Sequence, residues 1–171
     1  RGIDGAAHQG ALDQGGPTVA FIGTGIDRVY PAQHHALARS IVARGGAIAS
    51  ELPLGTPPQP SNFPRRNRLI AAAALGILVV EAAAQSGSLI TARQAADLGR
   101  EVFAIPGSIH SALARGCHAL LRQGAKLVET TDDVLAEFPQ LVALAARADV
   151  STTVSTTAST TVSSSEPALK H

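Results

Sequence analysis

Apolar residues in this chain fall into short runs separated by glycine or proline, the pattern of alternating strands and helices. Thr18-Val-Ala-Phe-Ile22 reads as a short strand ended by Gly23-Thr-Gly25. From Ala32 to Arg44 the spacing becomes helical, with Ala36, Leu37, Ser40 and Ile41 on one side, and Gly45-Gly46 stops it. Ala47 to Ser50 is a second short strand, followed by a proline-rich loop from Pro53 to Pro64 that is too long for a simple turn. Pro64 suits the first turn of a helix running through Arg68, Leu69 and Ile70 to Leu75.

Gly76-Ile-Leu-Val-Val80 is apolar throughout, which predicts a central strand buried on both faces. A small-residue loop after Glu81 leads to Ser88 and a helix ending near Gly99. Glu101 to Ile105 is a strand, Ser111 to Gln123 a helix, Lys126 to Val128 a strand and Asp132 to Phe138 a helix. Repeated βα units of this kind predict an α/β fold, a parallel sheet with right-handed crossovers and flanking helices. Two ends depart from the pattern. Residues 2–13 read as part of a helix with no strand before it, and residues 150–166 are low-complexity Ser/Thr, read as a disordered linker or tail.

Composition fits this reading: 45% hydrophobic but 3% aromatic, without Trp or Met, so Ala, Leu, Ile and Val must fill the interior. A net charge of +1 conceals a local imbalance. Arg65, Arg66 and Arg68 lie close together, whereas Glu129, Asp132, Asp133 and Glu137 gather near the end. Cys117 is the only cysteine, which excludes an internal disulfide and fits a reducing cytoplasm. No apolar run approaches the roughly 20 residues of a membrane span, and no signal peptide is recognisable. The chain starts at Arg1, inside what reads as a motif, so it is expected to be a fragment.

In open parallel sheets ligands bind beyond the carboxyl ends of the strands, where four loops offer candidate chemistry. Gly23-Thr-Gly25-Ile-Asp27 lacks the third glycine of a dinucleotide fingerprint and reads better as a tight turn. Asn62-Phe-Pro-Arg-Arg-Asn-Arg68 places arginines at a helix N-terminus, where positive side chains are unfavourable unless an anion joins them. Arginine forks grip phosphate and Phe63 can stack on a base. Gln85-Ser-Gly-Ser-Leu-Ile-Thr91 can be an ordinary helix cap or an anion cradle, and the facing arginines favour the cradle. Glu81 is placed to orient Arg66 or Arg68. In Pro106-Gly-Ser-Ile-His110 the histidine has no orienting carboxylate in sequence. Cys117, beside Gly116 and His118, reads as an inert helix cysteine. His34, His35 and His118 lack metal-ligand spacing, so neither a metal nor a cofactor is expected.

These loops, taken in order, resemble those of the DprA/Smf family of DNA-processing proteins. The matching stretches are Arg1-Gly-Ile-Asp-Gly-Ala-Ala-His8, Gly23-Thr-Gly25 with Asp27-Arg-Val-Tyr-Pro31, and Ser50-Glu51 with Gly55. Asn62-Phe-Pro-Arg-Arg-Asn-Arg-Leu-Ile70, Val79-Val-Glu-Ala82, Ser86-Gly-Ser-Leu-Ile-Thr91 and Gly99-Arg-Glu-Val102 follow. Pro106-Gly-Ser108, Gly116-Cys-His118 and Gly124-Ala-Lys-Leu127 complete the set. The resemblance implies an extended Rossmann-like core over residues 1–138, incomplete at the N-terminus, then a helical end and the Ser/Thr-rich tail over 139–171. In the family a first strand with its own glycine loop, a helix and a second strand precede the Arg1 stretch. Their loss should open the sheet and expose apolar surface.

The function so implied is non-catalytic: binding and protection of single-stranded DNA in natural transformation, with loading of the RecA recombinase by direct contact. The implied partners are therefore single-stranded DNA, RecA and, in the intact protein, a second copy in a homodimer. The DNA-binding residues carried over are Arg1, Phe63, Arg65, Arg66, Asn67, Arg68, Ser86, Gly87, Ser88 and Thr91. The alternative is a nucleotide phosphoribohydrolase of the lysine-decarboxylase-like family on a related fold. Its loop should read Pro-Gly-Gly-x-Gly-Thr followed by a glutamate, whereas Thr91 is followed here by Ala-Arg-Gln. The acidic segment after Val128 could serve a protein partner alongside DNA.

Overall fold

In the computed structural model the described residues are 2–143, within which helices and strands alternate in the order the apolar pattern predicts. The elements are α1 (Ile3–Asp13), β1 (Val19–Phe21), α2 (His35–Ala43), β2 (Ala47–Ala49), α3 (Asn62–Ala73) and β3 (Gly76–Val79). They continue with α4 (Gly87–Asp97), β4 (Glu101–Ala104), α5 (Arg115–Arg122), β5 (Lys126–Leu127) and α6 (Thr131–Leu135). Short 3-10 turns precede α2 and α5. The chain divides into two compact units, one ending at Leu127 and one beginning at Val128. The Ser/Thr-rich tail expected over residues 150–166 lies outside the described residues.

Glycine ends the helices as predicted. After α2, Gly45 takes φ +80°, its N–H bonds Val42 O and the N–H of Gly46 bonds Ile41 O. This is the Schellman arrangement, which needs a left-handed residue at its centre. Gly15, Gly99 and Gly124 close α1, α4 and α5 with the same pair of bonds. In the second unit α6 begins with a capping box in which the Asp133 carboxylate accepts from the backbone N–H of Thr130 and Glu129. Those bonds favour its charged form and lower its pKa.

The strands are parallel but form two sheets. β1 pairs with β2 from Val19–Ala47 to Phe21–Ala49, and β4 lies between β3 and β5. The core of the three-stranded sheet is Val79, Ala82, Ala92, Ala104, Cys117 and Leu120, with Phe103 buried on β4. The central strand is thus β4, not the Gly76–Val79 strand that its apolar run predicted. β3 is an edge, and Leu78 in its middle is 43% exposed.

The reason is an opening. Val19 and Phe21 of β1 and Ile77, Leu78 and Val79 of β3 line one cavity of about 640 Å³, also bordered by Ile3 and Ala7 of α1 and Ile70 of α3. Val19, like Leu78, is an exposed apolar strand residue, at 51%. Apolar strand residues thus face this cavity from both sheets.

With Phe103 only 2% exposed, Phe103→Ala should lower the unfolding free energy by about 3–5 kcal/mol, read as a fall in the urea midpoint.

Candidate nucleic-acid interface

The site is built on two loops joined by hydrogen bonds. The Ser50 hydroxyl donates to Thr24 O (2.6 Å), Gly25 N–H to Thr56 O (3.0 Å) and Gly55 N–H to Asp27 Oδ1 (2.8 Å). Gly25 must be glycine because a Cβ there would fall 2.6 Å from both Pro53 O and Asp27 Oδ1. The Gly23-Thr-Gly25 stretch therefore serves a close approach of two loops. Asn62, buried at the start of α3, donates its side-chain amide to Gly23 O (3.2 Å), so the loops also fix where that helix begins.

No acidic side chain lies in the first turn of α3, and Ser61 before it makes no side-chain cap. Free N–H groups and the helix dipole make such an end attractive to anions. The arginines diverge from there. Arg65 is exposed and makes no hydrogen bond or ion pair among the described residues. Arg68 donates through Nη2 to both carboxylate oxygens of Glu51. Arg66 turns inward, donating through Nη1 to Phe21 O on β1 and through Nε to Asn67 Oδ1 (3.1 Å). Burial lowers its pKa, opposed by the nearby charge of Asp4.

Phe63 is half-buried, its ring against Gly23, where a Cβ would come within 3.0 Å of it. Tyr30 lies beside it with centroids 5.9 Å apart, and the Arg66 guanidinium carbon is 6.0 Å from the ring centre. Phe63 and Arg66 border two cavities, the 640 Å³ opening between the sheets and one of about 310 Å³ lined by Tyr30, His34 and Ile41.

The loop between β3 and α4 is pinned by the segment that leads into α5. Gly116 N–H bonds Ala82 O at 2.7 Å and Ala82 N–H bonds Leu113 O at 2.8 Å. A Cβ on Gly116 would meet Ala82 O at 2.6 Å, which explains the Gly116-Cys-His118 stretch. Cys117 is fully buried with its sulfur toward Val79 O and Val80 O, and burial pushes the thiol pKa up, as an inert cysteine requires. Ser86 caps α4 by accepting from Ser88 N–H (3.3 Å). Gly87 is exposed with open space above it, and Thr91 is buried.

The structure brings Phe63, Arg66, Asn67, Ser88 and Thr91 to the larger cavity, together with Glu81. Arg65, Arg68, Ser86 and Gly87 do not line it, and Arg1 lies outside the described residues. Glu81 does not orient an arginine: Arg68 pairs with Glu51 and Arg66 with Phe21 O. Four residues at the site were not singled out for it from the sequence: Asp4, His8, Tyr30 and Glu51. The signal they carried was their place in matching stretches: Asp4 and His8 in the first, Tyr30 beside Pro31 and Glu51 beside Ser50. His110 is exposed in its loop, its N–H reaching Ser108 Oγ (3.3 Å). Among the described residues no group of three or more His, Cys, Asp or Glu could hold a metal ion, and no helix is long and apolar enough to cross a membrane.

Residues 1–139 match the family described as DNA recombination-mediator protein A. The chain is 50% identical over 135 residues to protein Smf of Escherichia coli K12, covering 79% of this chain and 36% of that one. It is 49% identical over 138 residues to DNA processing protein DprA of Streptococcus pneumoniae R6, covering 81% and 49%. It thus spans less than half the length of both relatives. The X-ray structure of the pneumococcal DNA processing protein A superposes with a TM-score of 0.74 at 48% identity, over 80% of this chain and 48% of that one. The Helicobacter pylori protein, solved for its single-stranded DNA binding mode, gives a TM-score of 0.71 at 26% identity, over 81% and 62%.

Two expectations follow from the geometry. Gly116→Ala should cost about 1–3 kcal/mol of stability, measured by urea unfolding, because its Cβ meets backbone that cannot rotate away. His8, bonded through Nδ1 to Thr18 Oγ1, has its pKa lowered from 6.5 by burial and by His34, against the pull of Asp4. The unfolded chain then binds the proton more tightly, so stability should fall as pH drops below 6.5 toward the depressed folded value. Urea midpoints across pH 5–8 should show a shallower fall for His8→Gln than for the wild type.

Proposed function

The chain belongs to the DNA recombination-mediator protein A family, also called DprA/Smf, and on that premise we propose that it binds single-stranded DNA without catalysing a reaction. The observation that carries this reading is the meeting of Phe63, Arg66 and Asn67 of α3 with Ser88 and Thr91 of α4 on one cavity. An aromatic ring beside arginines and a serine-capped helix start suits a sugar–phosphate strand whose bases stack.

The site proposed is Arg1, Phe63, Arg65, Arg66, Asn67, Arg68, Ser86, Gly87, Ser88 and Thr91. Within it the roles differ. Arg65, exposed and unpaired among the described residues, is the direct phosphate contact. Ser86, Gly87 and Ser88 offer hydroxyl and N–H donors at the start of α4, and Arg66 holds the wall on which Phe63 stands. Protection of incoming DNA and loading of RecA onto the bound strand, in the cytoplasm and from a homodimer, complete the proposed role of the intact protein. The proposed Rossmann-like core runs over residues 1–138. The phosphoribohydrolase reading loses ground because Ala-Arg-Gln, not a glutamate, follows Thr91.

The test is fluorescence anisotropy with labelled oligo-dT at several salt concentrations. Binding should weaken as salt rises, and Arg65→Ala should reduce the log–log salt slope by about 0.7. Phe63→Ala should weaken binding by about 1–3 kcal/mol while leaving that slope unchanged, since stacking releases no counterion. Salt-insensitive binding, or equal slopes for wild type and Arg65→Ala, would refute the phosphate assignment.

A further inference from the structure

Glu51 belongs to a matching stretch to which the DNA-binding reading gives no role. Both of its carboxylate oxygens accept from Nη2 of Arg68, and it shares a small cleft of about 40 Å³ with Arg65 and Arg66. Its loop is held by the Ser50–Thr24 bond one residue before it and the Gly55–Asp27 bond after it. A negative charge is therefore kept at the arginine-bearing start of α3 by a loop that is itself fixed.

The pair is poorly suited to a purely structural role. The two side chains are 57% and 47% exposed, and exposed ion pairs add little to stability. A single guanidinium nitrogen is engaged, not the two-pronged fork of the strongest arginine–carboxylate pairs. Such a contact exchanges readily. A phosphate oxygen approaching Arg68 meets a carboxylate already there, and the Glu51 charge cancels the attraction Arg68 would exert.

We propose that Glu51 is an internal competitor for phosphate at Arg68, so that a single-stranded DNA backbone engages this arginine by displacing the Glu51 carboxylate. This rests on the DNA-binding reading above. In the free protein Arg68 is already neutralised, and when a phosphate displaces Glu51 the freed carboxylate takes up a cation as the phosphate gives one up, so the exchange releases little net counterion. Glu51 sets the affinity of the site below what its arginines alone would reach.

The experiment titrates labelled oligo-dT with wild type, Glu51→Gln, Arg68→Ala and the double variant at several salt concentrations. Glutamine keeps the size and polarity of the side chain and removes its charge. Glu51→Gln should bind about two- to fivefold more tightly at low salt, with a log–log salt slope steeper by about 0.7. The gain should vanish in the double variant, which ties it to Arg68. Binding by Glu51→Gln at or below the wild-type level, while the wild type binds, overturns the competitor and leaves DNA binding standing. An equal gain in the Arg68→Ala background also overturns it, because Glu51 would then act as a general repulsive charge. Binding by Glu51→Gln alone supports it in its strongest form. Absence of binding by every form overturns both readings together.

Discussion

The hydrogen bond from the Ser50 hydroxyl to the Thr24 carbonyl ties the end of β2 to the loop after β1, and the candidate interface depends on that tie. With the Gly25–Thr56 and Gly55–Asp27 bonds it makes one platform of two loops, and Asn62 anchors α3 to it through Gly23 O. Because the start of α3 is fixed, its charges cannot relax by fraying. Arg65, the arginine that falls in the first turn of α3, opposes the helix dipole at about 0.3–1 kcal/mol. The free protein offsets part of this through Glu51, carried on the same platform. An arrangement locally unfavourable to folding is thus held in place and made favourable to an anion.

A second constraint is the divided sheet. Among the described residues β1 and β3 each lack a strand partner on the side facing the larger cavity, and strand edges normally demand cover. At Phe21 the cover is the Arg66 guanidinium, which donates to the carbonyl. The same residue that borders the proposed DNA site therefore closes a strand edge, which couples the order of β1 to the position of Phe63. Elsewhere the opening is apolar and exposed at Val19 and Leu78, an association-prone combination.

The order and type of the elements were legible because each apolar run was short, periodic and closed by glycine. Gly45 and Gly99 did in the structure what their positions announced. What sequence could not supply was pairing across distance. The run from Gly76 to Val80 looked central because burial on both faces produces continuous apolarity, yet the same composition now borders an opening. Glu81 looked like the carboxylate partner because it ends a strand near the site, whereas Glu51, just before the proline-rich loop, reaches Arg68. The Gly23-Thr-Gly25 and Gly116-Cys-His118 stretches read as a tight turn and an inert helix cysteine, but not as meeting places with other loops. In both, the glycine answers to a carbonyl oxygen of a neighbouring loop, at Pro53 and at Ala82, which no local pattern encodes.

One feature of the site was latent in the spacing of the arginines. Successive residues of a helix turn by about 100°, so Arg65 and Arg68 share a side of α3 while Arg66 points away from them. Phe63, Asn67 and Ile70 follow Arg66, and all four border the larger cavity. Arg65 instead falls with Asn62 and Leu69 on the cleft that Glu51 enters. The cluster Arg65, Arg66 and Arg68 is therefore two devices on one helix. Its inward arginine braces an aromatic wall and a strand edge, and its outward pair faces solvent, Arg65 open and Arg68 matched by a carboxylate. A strand laid across the start of α3 would meet charge on one side and the ring on the other, the division of labour by which phosphates position a nucleic acid and aromatic faces hold its bases.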